Sequence, residues 1–340
     1  MTPVSGNGKK HGAAVVGLRM GRAHCQAYVG MEEVELRAVC DISGERAAEL
    51  GAQFKVPLAT TSFEQVLADD AIRFVSVVTP DHFHAEYAVA ALEAGKDVLC
   101  EKPMAPTVEE CQRMVAAAEK AGRALMIGQS YRFNPAYLAV KQAVERGDVG
   151  EVYFVASDYW NNLMGVGGEG NWRNDPAIRH PFVGGCHALD LTRWVAGDLV
   201  EVSARANHKS FKEQPTEDFI TASLLFESGA IGRAIVSSGC MRPFLTSLEV
   251  HGTEGSIVDG KLWKAKQDKE PRPLPVPEVP SPIEGETRAF VAAVLEGTPL
   301  PVSARDGALS TIAAHAVVEC LRTGKTMRMH TDTLSFEPLG

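Results

Sequence analysis

Short apolar runs alternate with helical patterns over the first 130 residues of the chain. The predicted strands are residues 13–18, 36–40, 74–79, 97–100 and 124–128. Between them, Ser62 and Thr107 each stand three residues before a Gln or Glu, which is the pattern of a helix capping box, and Gly95 and Gly122 stand where helices end. Near-continuous apolar strands separated by helices are buried on both faces. The pattern therefore predicts an α/β fold whose N-terminal part is a doubly wound parallel sheet.

The pattern of elements changes after about residue 130. The strands that follow are predicted at 151–160, 199–206, 220–226, 230–238 and 246–251. The predicted helices are 135–146, 187–196, 284–295 and 303–323, and a loop with six prolines is expected over 269–282. Consecutive strands favour a large, open, mainly antiparallel sheet. We therefore expect a first domain over 1–130 and a C-terminal α+β domain over 131–340, whose last helix is able to pack back on the first domain.

Charge, hydropathy and cysteine spacing exclude several classes of protein. Lys and Arg number 34 against 43 Asp and Glu, a net charge of −9, so nucleic acid is not an expected partner. No apolar run reaches the roughly 18 residues of a membrane-spanning helix, and the first dozen residues lack the apolar core of a secretory signal. Seven Cys without a CxxC pair favour a reducing compartment over disulfides or structural zinc. We expect a cytoplasmic protein.

The segment after the first predicted strand, VVGLRMGRAH, contains Gly17 and Gly21. A glycine in a strand-to-helix turn lets the backbone approach a pyrophosphate, whose charge the helix N-terminus stabilises. Arg19 stands where a middle glycine is expected, so a plain tight turn stays an alternative. Asp41 ends the second strand at about the separation of an acid that hydrogen-bonds the adenosine ribose. A carboxylate there repels a 2′-phosphate and favours NAD over NADP, unless Asp41 is an ordinary turn residue.

The motif TPDHFH, from Thr79 to His84, follows the next predicted strand. Because open α/β sheets bind ligands at the carboxyl ends of their strands, this segment is expected to face a ligand. His82 and His84 also suit the metal pair of a hydrolase, but that site needs further ligands and a barrel of βα units that this chain does not have. In a third interpretation, His84 starts a helix and its ring is satisfied internally.

The tripeptide Glu101-Lys102-Pro103 follows the strand after that. Pro103 biases Lys102 toward an extended conformation and so holds it at the carboxyl edge of the sheet. A lysine that is partly desolvated beside a positively charged nicotinamide ring is able to transfer a proton. A lone lysine after a strand is otherwise an ordinary solvated charge.

The segment GGCHALDLTRW, residues 184–194, opens a helix in the second half. His187 and Asp190 are three residues apart and share a helix face. An imidazole at a helix start, after two glycines, is well placed to act on a ligand in a cleft between domains. Two alternatives stay open: His187 bonds the backbone near the helix start, or it joins Cys186 and Asp190 as metal ligands, for which no fourth partner stands at a recognisable spacing.

Together these segments resemble the glucose–fructose oxidoreductase/inositol dehydrogenase (Gfo/Idh/MocA) family of NAD(P)-dependent oxidoreductases. The resemblance covers nearly the whole chain and rests on the glycine turn, VCD at Asp41, VTPDHFH, AGKDVLCEKP, GQSYRFNPAY, GGCHALDLTRW and LEVHGTEGSI. It implies a Rossmann domain followed by a C-terminal domain whose open sheet supports a homodimer or homotetramer. It also implies oxidation of a sugar or cyclitol hydroxyl, or reduction of a ketone, with NAD or NADP as cofactor, of which Asp41 favours NAD.

The resemblance further implies roles by position, and no metal. Lys102 and His187 would be catalytic, the first facing the substrate and the second accepting a proton. Arg132 and Asp190 would bind substrate hydroxyls, and Asn162, Trp172 and Arg173 either line the pocket or pack within a loop. The implied cofactor positions are Gly17, Arg19, Met20, Gly21, Asp41, Thr79, Pro80, His84, Glu101 and Lys102.

Two departures from the family pattern affect these expectations. The nucleotide loop is one residue short and lacks its middle glycine. Val183 stands four residues before His187, where the family often has an aspartate. The Asp–His–Lys set is then incomplete, and either another group orients His187 or the chemistry rests on Lys102 and His187 alone.

The sequence favours an oxidoreductase that transfers hydride between a nicotinamide cofactor and a hydroxyl-bearing carbon of a polyhydroxylated substrate. Two other functions stay open. Val183 leaves room for a regulator that binds dinucleotide without turnover. A redox-neutral glycoside hydrolase or isomerase would oxidise its substrate transiently and return the hydride. Net production of NADH separates the first function from both others.

Overall fold

The computed structural model describes residues 10–164, 180–212, 216–264 and 270–340, without the side chains of residues 180–183. The strands are β1 (His11–Val16), β2 (Val34–Cys40), β3 (Leu58–Thr60), β4 (Ile72–Val77), β5 (Asp97–Glu101), β6 (Leu125–Gly128), β7 (Val152–Trp160), β8 (Leu199–Asn207), β9 (Phe219–Phe226), β10 (Ile231–Ser237), β11 (Leu245–Gly252), β12 (Ser256–Val258), β13 (Lys261–Trp263), β14 (Arg272–Pro273), β15 (Met327–His330) and β16 (Ser335–Pro338). The helices are α1 (Leu18–Val29), α2 (Gly44–Phe54), α3 (Phe63–Leu67), α4 (His84–Glu93), α5 (Val108–Ala121), α6 (Pro135–Glu145), α7 (His180–Ala196), α8 (Pro282–Glu296) and α9 (Ala304–Thr323).

The described chain forms two compact units. The first comprises Met1–Ser130 with Pro280–Gly307, and the second comprises Tyr131–Val279 with Ala308–Gly340. The expected assignment of everything after residue 130 to the second domain is therefore wrong for residues 280–307. Helix α8 joins the first unit together with the first turn of the last helix, α9. Within this unit, Phe290 of α8 packs edge-on against Phe74 of β4 with ring centroids 5.7 Å apart.

The sheet of the first unit contains six parallel strands in the order β3-β2-β1-β4-β5-β6. The order reverses between β1 and β4, which is the switch point where doubly wound sheets bind ligands. Residues 13–16 of β1 and 74–77 of β4 are all buried, as strands covered on both faces must be. The predicted fold class is confirmed, and β3 is the one strand of this sheet that the pattern did not predict.

Two helix starts in the first unit are built as the sequence predicts. The Ser62 side chain accepts a hydrogen bond from the backbone N–H of Gln65, and the Thr107 side chain accepts one from Glu110. Both bonds satisfy an N–H group that a helix leaves unpaired at its first turn. Gly122 ends α5 in the left-handed conformation expected of a helix C-cap.

The sheet of the second unit contains ten strands in the order β14-β13-β12-β11-β7-β10-β9-β8-β15-β16. Its pairings are antiparallel except for β7 with β10, so the predicted, mainly antiparallel sheet is confirmed. The five short strands β12 to β16 were not predicted, because two to four residues carry too little alternation to be read. One of them, β14, lies inside the predicted proline-rich loop.

Helix α7 packs on this sheet through two glycines. A Cβ atom at Gly184 would lie 2.5 Å from the ring of Tyr159, and one at Gly185 would lie 2.8 Å from a methyl group of Val236. The glycines therefore let the helix approach β7 and β10 closely. Among the helices in the described part of the chain, none is long and apolar enough to cross a membrane.

Candidate active site

The turn after β1 is very short, since only Gly17 separates the strand from α1. Gly17 has a φ of 87°, and a Cβ atom on it would lie 2.5 Å from the carbonyl oxygen of Val78 after β4. A Cβ on Gly21 would lie 2.8 Å from Val15, so this glycine sets the spacing between α1 and β1. Because α1 starts immediately after Gly17, Arg19 and Met20 belong to the first helical turn, where both side chains are exposed.

Asp41, predicted to bind the ribose, is turned toward the start of α1. Its Oδ2 accepts a hydrogen bond of 2.8 Å from the backbone N–H of Leu18, and its Oδ1 accepts bonds from Ser43 N–H at 2.9 Å and Arg46 Nη1 at 3.1 Å. The carboxylate is buried. The shortened loop thus brings the positive end of α1 against the end of β2, where a carboxylate is stabilised by the helix dipole. Three of its roughly four acceptor positions are already used.

The segment after β4 contains an inward-facing histidine. His84 is buried, with Nδ1 2.8 Å from the carbonyl oxygen of Pro103 and Nε2 2.8 Å from that of Thr79. Burial lowers the pKa of His84, and hydrogen bonds to the two carbonyls oppose that shift. Both ring nitrogens thus bond backbone carbonyls, as in the alternative of a helix-start residue with an internally satisfied ring, and the cofactor position of His84 stays a prediction. His84 ties together the loops that follow β4 and β5.

Thr79 and Pro80, which precede His84, lie at the carboxyl edge of the sheet. Pro80 is exposed, and the hydroxyl of Thr79 is buried without a hydrogen-bond partner in the structure. A ligand bound at the switch point can supply the hydrogen-bond partner that this buried hydroxyl lacks. Neither His82 nor His84 lies in a group of potential metal ligands within the described residues, so the hydrolase-type metal pair finds no support.

Lys102 follows directly on the last residue of β5, and its bond to Pro103 is cis. The carboxylate of Glu101 points inward: Oε2 accepts a 3.2 Å hydrogen bond from the Lys102 N–H, and Oε1 lies 3.2 Å from His24 Nε2. Glu101 was predicted to face the cofactor, and only 15% of its side chain is exposed. Its burial would raise the pKa of Glu101, but the hydrogen bond from His24 and the charges of His24 and Lys102 outweigh burial and lower it.

A second buried carboxyl group, that of Glu286 on α8, completes this cluster. His24, Glu101 and Glu286 each bring one nitrogen or oxygen atom within 4.8 Å of the others. Three such atoms could in principle surround a cation. The Lys102 ammonium, however, already acts electrostatically on both carboxyl groups, and a second positive charge beside it would be repelled. The cluster is better understood as a site for protons.

In the second unit, His187 lies in the interior of α7 and not at its start. The helix begins at His180, so the expected position of His187 at a helix N-terminus is wrong. Gly184 and Gly185, a pair typical of the segment before a helix, form part of α7. The imidazole is almost fully buried. It stacks on Tyr131, with centroids 4.0 Å apart and planes 6° from parallel, and Tyr159 lies on it at 6.3 Å and 22°.

The stacked tyrosines give His187 an orienting surface that the sequence reasoning missed. Tyr131 lies in the segment GQSYRFNPAY, where an aromatic residue was visible but no spacing marked it as a partner of His187. Burial raises the pKa of the Tyr131 phenol, so the ring stays uncharged at ordinary pH. Since the side chain of Val183 lies outside the described part of the chain, the structure says nothing about that departure from the family pattern.

Arg132 and Asp190 meet as a buried ion pair. Arg132 donates to Asp190 from Nε at 2.8 Å and from Nη2 at 2.6 Å, and Ser310 donates to Asp190 Oδ1 at 2.7 Å. Arg193 in turn donates to Ser310 at 2.6 Å. The structure therefore brings together two residues predicted to bind substrate hydroxyls, but the carboxylate of Asp190 is engaged in holding Arg132. Charge-assisted, bidentate pairs of this kind fix geometry strongly.

The remaining predicted pocket residues follow β7. Asn162 is exposed and forms an isolated bridge with Gly239, and its Oδ1 accepts a 3.0 Å hydrogen bond from the Met164 N–H. Trp172 and Arg173 lie outside the described residues. Their predicted contact with substrate stays a prediction.

Comparison with known proteins identifies the class of protein. The description "Oxidoreductase family, NAD-binding Rossmann fold" matches residues 12–129, and "GFO/IDH/MocA C-terminal domain" matches residues 137–258. The chain belongs to the Gfo/Idh/MocA family. The relationship that the motifs suggested is thus confirmed, and the first unit is the NAD-binding Rossmann domain of a Gfo/Idh/MocA oxidoreductase.

Curated members of the Gfo/Idh/MocA family resemble the chain over most of its length. A levoglucosan dehydrogenase of Pseudarthrobacter phenanthrenivorans is 27% identical over 70% of this chain and 70% of its own. An inositol 2-dehydrogenase of Saccharopolyspora erythraea is 28% identical, covering 90% of this chain and 91% of its own. A crystal structure of an aldose-aldose oxidoreductase from Caulobacter crescentus, complexed with glycerol, is 26% identical with a TM-score of 0.83 and covers 94% and 100% of the two chains. These relatives are oxidoreductases, so the regulator and the redox-neutral enzyme are not favoured.

The carboxyl edge of the first sheet fits a dinucleotide. The Gly17 turn leaves no side chain between the backbone and a ligand, and the Thr79 hydroxyl lacks a partner. Lys102 directly follows β5. Strand β5 pairs with β4, which is one of the two strands at the switch point. Asp41 shows one difference from the expected arrangement, since it occupies the first N–H group of the helix that a pyrophosphate would otherwise approach.

Proposed function

We propose that this oxidoreductase acts on a hydroxyl-bearing carbon of a sugar, sugar derivative or cyclitol, or on the corresponding ketone, with NAD as cofactor. The observation that carries the proposal is the placement of Lys102 at the carboxyl end of β5, one strand from the switch point. Two contacts tie the backbone on either side of Lys102: the carboxylate of Glu101 accepts its N–H, and the ring of His84 bonds the Pro103 carbonyl. Relatives named for levoglucosan and inositol support the substrate class.

The residues would divide the chemistry as follows. Bound NAD supplies the hydride acceptor. The imidazole of His187 accepts the proton of the substrate hydroxyl as the carbon–hydrogen bond breaks, so the alcohol loses a hydride and a proton and becomes a carbonyl compound. The Lys102 ammonium donates to the substrate oxygen and stabilises the negative charge that develops on it. In the reverse direction the protonated His187 returns the proton to the substrate oxygen, and Lys102 again donates a hydrogen bond to that oxygen.

Substrate binding would rest on the Arg132 guanidinium, which Asp190 and Ser310 hold in one orientation. A guanidinium donates hydrogen bonds and accepts none, so it suits hydroxyl, carbonyl or carboxylate oxygens of a substrate. Asn162, Trp172 and Arg173 are proposed as further contacts from the segment after β7. We assign Asp190 itself the task of positioning Arg132.

For the cofactor, we propose that NAD is preferred over NADP. The Asp41 carboxylate stands at the end of β2, where the 2′-substituent of an adenosine ribose would lie in a Rossmann domain. Arg46 is paired with Asp41, with 34% of its side chain exposed, and so reduces the repulsion of a 2′-phosphate without removing it. The preference therefore depends on the balance between these two charges.

We further propose that the protein works as a homodimer or homotetramer in the cytoplasm. Exposed apolar side chains on strands of the ten-stranded sheet, Tyr153, Ile231, Leu245 and Trp263, support self-association. All seven cysteines are buried and none forms a disulfide, as suits a reducing compartment. Light scattering coupled to size-exclusion chromatography measures the assembly.

The function is tested by following NAD+ reduction against a panel of sugars, anhydrosugars, uronates and cyclitols. We expect net NADH formation with at least one polyhydroxylated compound and less with NADP+. Product formed without net NADH would indicate the redox-neutral enzyme instead. Tight binding of NAD+ with no turnover on any member of the panel would indicate a regulator.

A further inference from the structure

Glu286 is a fully buried carboxyl group whose side chain meets no hydrogen-bonding partner. It lies on α8, in the segment that returns to the first unit, and neither Oε1 nor Oε2 has a hydrogen-bond partner in the structure. Buried carboxyl groups are rare unless they are paired, because transfer of an ionised carboxylate from water to the protein interior is costly. Such a group at the centre of a domain calls for an explanation beyond packing.

The groups that face Glu286 come from each helix and strand packed on α8. Helix α1 contributes His24, and the end of β5 contributes Glu101 and Lys102. Strand β6, LMIG, contributes no titratable side chain. Strand β4 contributes Arg73, whose guanidinium is engaged away from Glu286, with Asp97 at 3.0 Å and the Val294 carbonyl at 3.4 Å. On α8 itself, Glu284 and Arg288 pair with each other 2.9 Å apart at the surface. The surroundings of Glu286 are thus one imidazole, one carboxyl group and one ammonium.

The charges of this group cannot all be present at once. Glu101 and Glu286 bring their oxygens within 4.8 Å of each other in a buried place, where two carboxylates would repel strongly. Glu101 has a hydrogen bond from the Lys102 N–H and lies against His24, whereas Glu286 has neither. The negative charge therefore belongs on Glu101. Burial and the charge of Glu101 raise the pKa of Glu286 well above its usual value, and Lys102 offsets only part of that shift.

We propose that Glu286 is a positioning residue of Lys102: it keeps its own proton while Glu101, which lies against His24, is ionised, so that a single negative charge lies beside the lysine. This inference rests on the catalytic role assigned to Lys102 under the proposed function. A second carboxylate in the cluster would bind the ammonium more strongly and draw it away from the substrate oxygen.

Infrared difference spectra between the wild type and its variants, recorded without cofactor or substrate, detect this proton directly. A protonated carboxyl group has a carbonyl stretching band that a carboxylate lacks. We expect the wild type at neutral pH to show this band, with a shift in deuterium oxide, and Glu286→Gln to lose it. Glu284→Gln, on the exposed side of the same helix, is the matched control and should keep it. A wild type without the band, or E286Q with the band intact, would overturn the proposal.

If E286Q does not fold, Glu286→Leu, which places an apolar side chain in the same buried position, takes its place and should also lose the band. The pH dependence of turnover then tests the link to Lys102. We expect the alkaline limb of the wild type to move up by about one pH unit or more in E286Q, since an amide cannot ionise, and to stay in place in E284Q.

The infrared band tests whether Glu286 is protonated, and the pH dependence of turnover tests whether Glu286 acts through Lys102. A band that E286Q removes, together with an unchanged alkaline limb, would leave a protonated Glu286 that does not act through Lys102, and the positioning role would be wrong. A failure to find any turnover would count against the proposed function, while the infrared result would still decide where the proton lies.

Discussion

The imidazole of His187 lies face to face with the phenol ring of Tyr131, 4.0 Å between centroids and 6° from parallel. This contact fixes the plane of the imidazole ring from one side, and the backbone of α7 fixes the point from which the side chain extends. It supplies an orienting device where the family often has an aspartate and this chain has Val183. The stacking would thus hold His187 in place for the proton transfer that we propose for it.

We expect Tyr131→Ala to lower turnover and Tyr131→Phe to preserve it. A stacked aromatic pair contributes about 0.5–1.5 kcal/mol beyond area burial, which corresponds to roughly a 2–10-fold fall in kcat when the imidazole loses its support. The Phe variant keeps the ring and removes only the hydroxyl. Steady-state kinetics of both variants on one substrate provide the measurement, and equal losses in both would show that the hydroxyl, not the ring, is what matters.

Removal of Asp190 should destabilise the second unit strongly. In Asp190→Ala the buried Arg132 guanidinium loses both of its bonds to the carboxylate, and breaking a buried ion pair in this way costs about 3–5 kcal/mol. Asp148→Ala is the control, because its pair with Arg146 is half exposed and such pairs contribute roughly 0–1 kcal/mol. Denaturant unfolding of both variants gives the comparison. Similar midpoints for the two would contradict the importance of the Arg132–Asp190 pair.

Asp41 and Arg46 should shift cofactor preference in opposite directions. Asp41→Ala removes the carboxylate that repels a 2′-phosphate, so the ratio of NADPH to NADH affinity should rise about tenfold, or ~1.4 kcal/mol. Arg46→Ala leaves Asp41 uncompensated and should lower that ratio. Fluorescence titration with the two reduced cofactors measures both dissociation constants. A shift in the same direction in both variants would be inconsistent with the charge balance at the end of β2.

Asp41→Ala should also destabilise the first unit, because α1 then loses the acceptor of its first N–H group. The loss of a helix N-terminal acceptor costs about 0.5–2 kcal/mol.

The buried Glu286 makes stability depend on pH with a definite sign. The pKa of Glu286 is raised in the folded protein, so the unfolded chain releases this proton first as pH rises above the ordinary value of 4.5. The folded state then binds more protons than the unfolded state, and the free energy of unfolding falls by about 1.4 kcal/mol per pH unit from this group until the folded group also ionises. E286Q lacks this dependence.

Urea unfolding of the wild type and E286Q from pH 5 upward tests that sign. The stability of E286Q relative to the wild type should grow with pH, while the difference for E284Q should stay flat. A difference between E286Q and the wild type that shrinks with rising pH would mean that Glu286 is ionised in the folded protein.

The sequence predicts where most strands of the first sheet end, because each of these strands is a buried apolar run bounded by a turn residue. The Ser62 and Thr107 caps were readable for a similar reason, since a cap is a bond between residues three apart. The side chains that follow those strands were identified, but the directions they face were not. Asp41, His84 and Glu101 all turn inward, and each has one partner that is distant along the chain: Leu18, Pro103 and His24, respectively.

Two features were beyond the sequence pattern. Helix α7 includes Gly184 and Gly185, residues that normally mark a helix end, because the sheet beneath leaves no room for larger side chains. Glu286 belongs to a helix that returns to the first unit from the far end of the chain. No local spacing relates it to His24 or Glu101, so only the folded structure brings these three together.

Transient kinetics of NADH formation test the central claim most directly. With an identified substrate and saturating NAD+, a single turnover should be roughly 10²–10⁴-fold slower in Lys102→Met and in His187→Ala than in the wild type. Lys120→Met, on the exposed side of α5, should match the wild type. Rates for K102M and H187A that equal the K120M rate would show that neither the ammonium nor the imidazole takes part in the hydride-transfer step.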